Sequence, residues 1–338
     1  MNAKGQKAAV CMGSISEKVQ DLMKEFPPEY TSERKSDFYE EAAFIHRKQN
    51  GIIKLSRWRF AYERKTPLGL EKSPVELEQT SAFFDYSDKD DSKRRVWYLN
   101  FADPKLFGYY DGDLFAQDEI QTFEHPLLGS IAEYLDKKAI PGFEPLTVVE
   151  KTKPTPYLIE NVPYWIKVNT SPVLKDGTSV NIYGRNFSYA DPRAINAAIT
   201  LLQKEETNNI VAIAAPTSGN GHDPYTKGQI SFILKTLLVA FGAAAKLTTE
   251  SKRRDCIIHT GNWGCGAFGN DKELIYTAQI LCASVTGVKK LVFHGISAED
   301  AKILEEANKK AFAVADGESL VDYLFEQDYH WHFGGGRK

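Results

Sequence analysis

The stretch Asp255–Ala283 reads DCIIHTGNWGCGAFGNDKELIYTAQILCA, and it divides into three parts. The apolar run Cys256-Ile257-Ile258 has the character of a buried strand. A glycine-dense loop follows from Thr260 to Asn270. Then Leu274, Ile275, Ala278 and Leu281 recur at helical spacing, with Asn270 or Asp271 as the N-cap. Strand, glycine loop and helix start together make a phosphate-holding arrangement. Glycine lets backbone N–H groups turn inward at close range, and the helix end adds partial positive charge. The loop has no Lys-Ser/Thr pair as a nucleotide P-loop requires. Its Gly264-Cys265-Gly266-Ala267-Phe268-Gly269 run lacks the βαβ setting of a dinucleotide fingerprint. As a bare glycine loop it would serve a tight turn as readily as a phosphate.

Working outward, the 338 residues carry a net charge of −3 and 42% hydrophobic residues, the composition of a soluble globular chain with a sizeable core. That balance argues against a nucleic-acid binder driven by phosphate attraction. Apolar runs such as Ile210–Ala215 and Leu237–Ala245 are too short or broken to span a bilayer, and the first residues lack the apolar core of a signal peptide. The four cysteines, Cys11, Cys256, Cys265 and Cys282, do not fall at metal-binding spacings. An intracellular location, cytoplasmic or nuclear, is the expectation, with no metal and no cofactor.

Strand and helix patterns alternate along the chain. Strands are expected at Val96–Phe101, Val180–Tyr183, Ile210–Ala215 and Lys289–Phe293. Helices are expected at Ala116–Phe123, Leu127–Lys138, Pro192–Glu205, Gln229–Ala245 and Ala298–Ala311. Residues 1–90 read as a helical, charged extension, with periodicity at Ser14–Phe26 and Ser36–Lys48. Lys151–Pro163 reads as a proline-rich connection, and the tail from His330 as frayed or only partly docked. The class is α/β, a sheet covered on both faces.

The second informative stretch is Asn100–Glu124, NFADPKLFGYYDGDLFAQDEIQTFE. Asp103, Asp111, Asp113, Asp118, Glu119 and Glu124 fall here, with Glu133 a little further on. Adjacent carboxylates at a helix start push each other's pKa apart, so one stays protonated while its neighbour ionises. Glycoside cleavage asks for that pairing. By themselves, these residues fit a solvated acidic face better.

The string Thr260-Gly261-Asn262-Trp263-Gly264-Cys265-Gly266-Ala267-Phe268-Gly269 closely resembles the diphosphate-binding loop of the poly(ADP-ribose) glycohydrolase family, a branch of the macrodomain fold. That family also has a strand ending in F-A-N, a triple-glycine loop and a Q-E-E motif. Here Phe101-Ala102-Asp103, Gly108-Tyr109-Tyr110 and Gln117-Asp118-Glu119 stand in their places. The resemblance covers residues from about 96 to about 296, with ends that match well and a middle that matches poorly. It implies a macrodomain-like mixed sheet flanked by helices over 91–338, with 1–90 as the extension. By the same carry-over, Glu119 is the catalytic acid, Asp118 its neighbour, and Gln117 an adenine or ribose contact. Thr260, Gly261, Asn262, Gly264, Cys265, Gly266, Ala267 and Phe268 form the ligand loop. Phe293 or His294 takes the adenine-stacking position.

Two departures shape the functional expectation. The triple glycine has given way to tyrosines, and the asparagine to Asp103, with Asp111 and Asp113 nearby. Acids suit a cationic leaving group, because carboxylates bind guanidinium bidentately. The leading expectation is therefore an ADP-ribosyl hydrolase acting on arginine-linked mono-ADP-ribosylated protein, ubiquitin being one conceivable target. Asp103 and Asp111 would grip the guanidinium. Cleavage of the ribose–ribose bond in polymer is the alternative, and a non-catalytic ADP-ribose reader the reading from another class. The expected partners are ADP-ribose and ADP-ribosylated protein, with neither nucleic acid nor membrane.

Overall fold

Strand β4 (Arg94–Ala102) runs through the middle of the molecule and sorts its side chains to two faces. Trp97 and Leu99 join one hydrophobic core, and Val96, Tyr98 and Ala102 join another on the opposite side. That division is the two-residue period of a strand buried on both faces. The computed structural model describes residues 8–61, 72–218, 223–314 and 318–332. The remaining strands are β1 (Ala9–Lys18), β2 (Ile52–Phe60), β3 (Glu76–Gln79), β5 (Val148–Val149), β6 (Lys153–Pro154), β7 (Tyr157–Val168), β8 (Ile199–Ala214), β9 (Asp255–Gly261) and β10 (Lys290–His294). Of the ten described strands, eight form one sheet in the order β1-β2-β7-β8-β4-β9-β10-β3, and β5 and β6 make a small separate pair. From β8 to β3 the neighbours are parallel, and from β1 to β8 they are antiparallel.

Helices cover both faces. Lys227–Glu250, Lys272–Thr286 and Ala298–Ala313 pack on the Trp97 side, and Val19–Glu25, Gln117–Glu124 and Leu127–Lys138 on the Tyr98 side. Lys227–Glu250 is long and apolar enough to cross a membrane, and 83% of its apolar window is buried inside the protein. The class is the expected one, a mixed α/β sheet flanked by helices.

The first 90 residues differ from the expected helical extension. They contribute β1, β2 and β3 to the main sheet, at both of its edges, and, among the described residues, helices only at Val19–Glu25 and Glu33–Ile45. β2 buries Ile53 and Leu55 on one face and Trp58 and Phe60 on the other. Each such side chain contributes about 1.5–3 kcal/mol on burial, so the segment is integral to the domain.

Two further expectations give way to strand pairing, and an expected strand is absent. The Pro192 helix ends at Ala198, and Ile199–Leu201 pair with Val168–Ile166, overriding the helix-favouring Lys204-Glu205-Glu206 run. The proline-rich connection becomes most of β7, because a register shift between Ile159 and Val162, with Asn161 at φ 62°, lets Pro163 sit within the strand. Val180–Tyr183 is not a strand; only isolated bridges, Val173 to Ser179 and Phe115 to Gly184, lie beside it. The tail is docked as far as His332, with Trp331 buried against Tyr225 at a ring separation of 4.1 Å.

Candidate active site

A cavity of about 610 Å³ opens where the parallel strands β4, β9 and β10 end. Crevices at the carboxyl ends of such strands are the usual ligand sites of α/β sheets. β4 runs out into Asp103, β9 into the glycine loop, and β10 into His294-Gly295. All three segments line the cavity, together with Asp118 and Glu119 from the Gln117–Glu124 helix. Residues 160 positions apart in sequence thus meet across one space.

The glycine loop takes its shape from its own residues and a ring of anchors. Trp263 is fully buried and donates its indole N–H to the Ile213 carbonyl at 3.1 Å, bracing the loop from beneath. The Asn270 amide donates to the carbonyls of Pro216 (2.8 Å) and Gly264 (3.0 Å) and closes the loop on itself. Gly264 has φ 72°, and a Cβ there would lie 2.4 Å from that of Ala215. Glycine is thus required by both conformation and space. Among the described residues, the N–H groups of Gly264, Gly266, Ala267 and Phe268 donate to no protein backbone acceptor outside regular structure. Unpaired N–H groups on a loop lining a cavity form an anion nest. The N-cap of the following helix is Asp271, whose side chain accepts from Leu274 N at 2.9 Å. A capping carboxylate offsets the positive end of that helix.

Thr260, Asn262, Gly264, Cys265, Gly266, Ala267 and Phe268 all line the cavity. Gly261 stands behind it, pressed against the His294 carbonyl, where a Cβ would come within 2.6 Å. Burial pushes the Cys265 thiol pKa up, opposite to the lowering that a helix N-terminus would give.

On the opposite wall, Asp118 and Glu119 are both buried, 7% and 4% exposed. Asn100 donates its amide to Asp118 at 2.9 Å, and Glu119 accepts the Ala116 N–H at 3.1 Å. Burial raises both carboxyls above the usual range; the Glu119 charge raises Asp118 further, while Lys35 pulls Glu119 down. Asp103 also lines the cavity, and burial raises it too.

The structure departs from the sequence reading at four residues of this group. Asp111 and Asp113 do not line the cavity: they accept from the hydroxyls of Thr31 and Ser32, at 3.0 and 2.6 Å, and tie their loop to the N-terminal segment. A guanidinium grip by Asp111 is therefore not what this wall offers. Gln117 lines the cavity, yet its amide is committed to β4, donating to the Leu99 carbonyl and accepting from the Phe101 N–H. It splices helix to strand instead of offering a free amide to a ligand. Phe293 is fully buried edge-on to Tyr276, leaving the stacking position to His294. Of the two tyrosines replacing glycine, only Tyr109 faces the cavity; Tyr110 turns inward and donates to Glu133 at 2.7 Å.

Several lining residues escaped the sequence reading. Phe83 and Phe84 lie in a coil after β3, and Phe83 packs on Tyr183 at 5.4 Å across the cavity rim. Their aromatic run, Phe83-Phe84-Asp85-Tyr86, was the available signal. His294 contacts His259 at 2.8 Å, and His259 contacts Asp88 at 3.4 Å. Gly219–His222, which follow a cavity-lining Ala215, lie outside the described residues.

The site thus sits in a mixed sheet with helices on both faces, with a glycine loop at its strand ends. Residues 175–303 match the family model described as "Poly (ADP-ribose) glycohydrolase (PARG), Macro domain fold". The chain is also 26% identical over 140 residues to probable poly(ADP-ribose) glycohydrolase 2 of Arabidopsis thaliana, covering 31% of this chain and 26% of that one, so it spans about a quarter of that relative's length. Similar solved structures include the poly(ADP-ribose) glycohydrolase of Thermomonospora curvata bound to the inhibitor ADP-HPD. The TM-score is 0.46, at 12% identity, over 86% of this chain and 95% of that one. Another is the Deinococcus radiodurans enzyme in complex with ADP-ribose, with TM-score 0.45, at 15% identity, over 87% and 97%.

Proposed function

We propose that the protein is an ADP-ribosyl glycohydrolase that cleaves the ribose–ribose bond of ADP-ribose polymer. The supporting observation is that the loop N–H groups and the Asp118–Glu119 pair share one cavity. In this reading the N–H groups of Gly264 and Gly266–Phe268 hold the diphosphate, and His294 and Phe83 flank the base. The distal ribose faces the carboxylates. One carboxyl gives its proton to the departing ribose oxygen as the anomeric C–O bond breaks. The ionised one stabilises the oxocarbenium-like centre and takes a proton from the attacking water. The products are free ADP-ribose and a polymer shorter by one unit.

Polymer is preferred over arginine-linked substrate because Asp111 and Asp113 are spent on Thr31 and Ser32. A reader without activity has no use for two buried, adjacent carboxyls, whose desolvation costs stability. An intracellular setting, in keeping with four free cysteines, belongs to the same proposal. The test is to incubate the protein with polymer, with arginine-linked and with glutamate-linked ADP-ribosylated protein, and to measure free ADP-ribose. Release from polymer is expected. Release from the arginine-linked protein alone would restore the other specificity, and tight ADP-ribose binding with no release from any of the three would leave a reader.

A further inference from the structure

Two histidines meet behind the wall that flanks the base. His259 on β9 pairs with Val292 on β10, two residues before His294, so the two rings lie diagonally on neighbouring parallel strands. His259 Nδ1 and His294 Nε2 are 2.8 Å apart. The outer nitrogens face acceptors. His294 Nδ1 is 3.2 Å from the Phe83 carbonyl, and His259 Nε2 is 3.4 Å from an Asp88 carboxylate oxygen. Arg94 stands 3.2 Å from the other oxygen of Asp88, which keeps that carboxylate ionised.

Phe83 and Asp88 are the two ends of one short coil after β3. Just before it, the N–H groups of Thr80, Gly295 and Ile296 donate to the carbonyls of Phe293, Ala82 and Thr80, which fixes the chain as far as Ala82. Among the described residues, no backbone–backbone hydrogen bond holds Phe83–Asp88 itself. Side chains do: Tyr86 is buried, the Tyr98 hydroxyl donates to the Asp88 carbonyl at 2.8 Å, and the histidine pair reaches both ends. The coil supplies Phe83 and Phe84 to the cavity, with the Phe84 ring 4.8 Å from that of His294.

A proton count decides the state of this chain of contacts. A carbonyl and a carboxylate only accept, so both outer nitrogens must carry hydrogen, and the inner contact needs one more. Three protons on two imidazoles make one positive charge. Two neutral rings carry two protons and leave one contact without its hydrogen; at 3.4 Å the Asp88 contact is the weakest of the three. We propose that His259 and His294 share a single extra proton that completes a strap fastening the Phe83–Asp88 coil to the strand ends, which makes His259 a positioning residue for the base of ADP-ribose. With both nitrogens engaged, His294 presents its ring to the ligand and not an N–H. The charged groups facing the pair are Asp85 and Asp88 on the coil, Arg94 on β4 and Lys290 on β10, with Lys167 on β7 behind Asp85. The Tyr98 ring of β4 lies 4.4 Å from that of His259. A second extra proton is refused, because burial and the neighbouring imidazole draw His294 down to about 4. Imidazoles titrate between about pH 5 and pH 8, so the strap is fastened at the acidic end of that interval and loosened at the basic end.

The inference rests on ADP-ribose occupying this cavity with its base against this wall, and binding, not turnover, tests it. Affinity for ADP-ribose is measured by calorimetry from about pH 5.5 to about pH 8.5 for the wild type and for His259→Phe, whose ring keeps the packing on Tyr98 and cannot titrate. The wild type should lose about three- to tenfold in affinity as pH rises, the range of one hydrogen bond. The variant should bind more weakly than the wild type at the acidic end and show no such slope. Equal slopes in the two proteins would overturn the proposal and leave His259 a packing role. ¹⁵N NMR of the wild-type imidazoles, which does not depend on the variant folding, should show the two rings taking up one proton between them over this range. Rings that both stay neutral, or that gain a proton each, also overturn it. A protein that binds no ADP-ribose at any pH fails the function proposed above and takes this inference with it. A wild type that binds with an affinity independent of pH fails the inference alone.

Discussion

The glycine loop and the carboxylate wall face each other across one cavity, and they are held in shape by different means. The loop runs directly from β9 into its helix; Trp263, Asn262 and Asn270 within it make the contacts that shape it. The wall is assembled at long range. Its carboxylates come from one helix, their support from Asn100 on β4, and its loop is tied down by Thr31, Ser32 and the buried Lys35 of an N-terminal helix. A wall built locally can be recognised from a short string. One built from distant contributions can be recognised only once the chain is folded.

The contrast predicts a division of labour, and the largest effect tests it most directly. Glu119→Gln and Asp118→Asn keep the shape of each side chain and remove its proton chemistry. Release of ADP-ribose should fall by about 10²–10⁴-fold in either variant, the range of general acid–base contributions. ADP-ribose affinity, measured by calorimetry, should stay within about threefold of wild type, because the loop does the holding. Near-normal turnover in both variants would place the chemistry elsewhere.

Gly264→Ala should do the converse. The substitution meets the Ala215 Cβ at 2.4 Å and carries φ 72°, whereas a Cβ on Gly266 meets nothing within 4 Å. Strain of this kind costs on the order of 1–3 kcal/mol. Gly264→Ala is expected to weaken ADP-ribose binding about tenfold or more and to lower the melting temperature. Gly266→Ala should leave the melting temperature alone and act on affinity only. Equal melting temperatures for the two would mean that the loop is less rigidly specified than its contacts indicate.

The same distinction explains what could be read before folding. The β9 strand, the loop and the Lys272–Thr286 helix were legible because periodicity, glycine spacing and the Asp271 cap are local features. The pairing of Asp118 with Glu119 was legible, since they are adjacent. The destinations of Asp111 and Asp113 were not, because Thr31 and Ser32 lie some 80 residues away. The N-terminal segment was misread for a related reason. In Ala9–Lys18 the exposed positions of an edge strand look like the polar face of a helix, and only pairing with β2 distinguishes them. Lys35 carried no local mark at all.

A smaller effect should come from the C-terminal segment, which clasps the loop from behind. Trp331 stacks on Tyr225, whose hydroxyl bridges the Asn270 side chain and the Asp271 N–H. The His332 N–H donates to the Gly269 carbonyl at 2.9 Å. Trp331→Ala removes the stack and should weaken ADP-ribose binding by roughly three- to tenfold, in line with about 0.5–1.5 kcal/mol for an aromatic pair. The maximal rate should change little, because the carboxylate wall is untouched. A loss confined to the maximal rate would show that the two walls are coupled through the core.

The smallest effect on turnover belongs to a substitution read out in stability, and it sets a third carboxyl of the same helix against the other two. Glu124 lies on the far side of the Gln117–Glu124 helix, buried, with Oε1 accepting the Val168 N–H at 3.0 Å. Burial raises its pKa from 4.5 to about 8, so the folded state binds this proton more tightly than the unfolded chain does. The stability contribution of this group is therefore fully present below pH 4.5 and is lost as pH rises through about 8. His125, lowered by burial to about 3, has the opposite slope between that pH and 6.5, which blunts the trend in the wild type. Glu124→Gln keeps an oxygen for Val168 and cannot ionise. Its melting temperature relative to wild type should therefore climb between pH 5 and pH 8, by an amount corresponding to at most about 3–4 kcal/mol. Because His125 is common to both proteins, the difference isolates Glu124. A difference that stays constant across this range would mean that Glu124 is already ionised in the folded protein, and that this end of the helix is wetter than its packing against Tyr86 and Tyr164 implies.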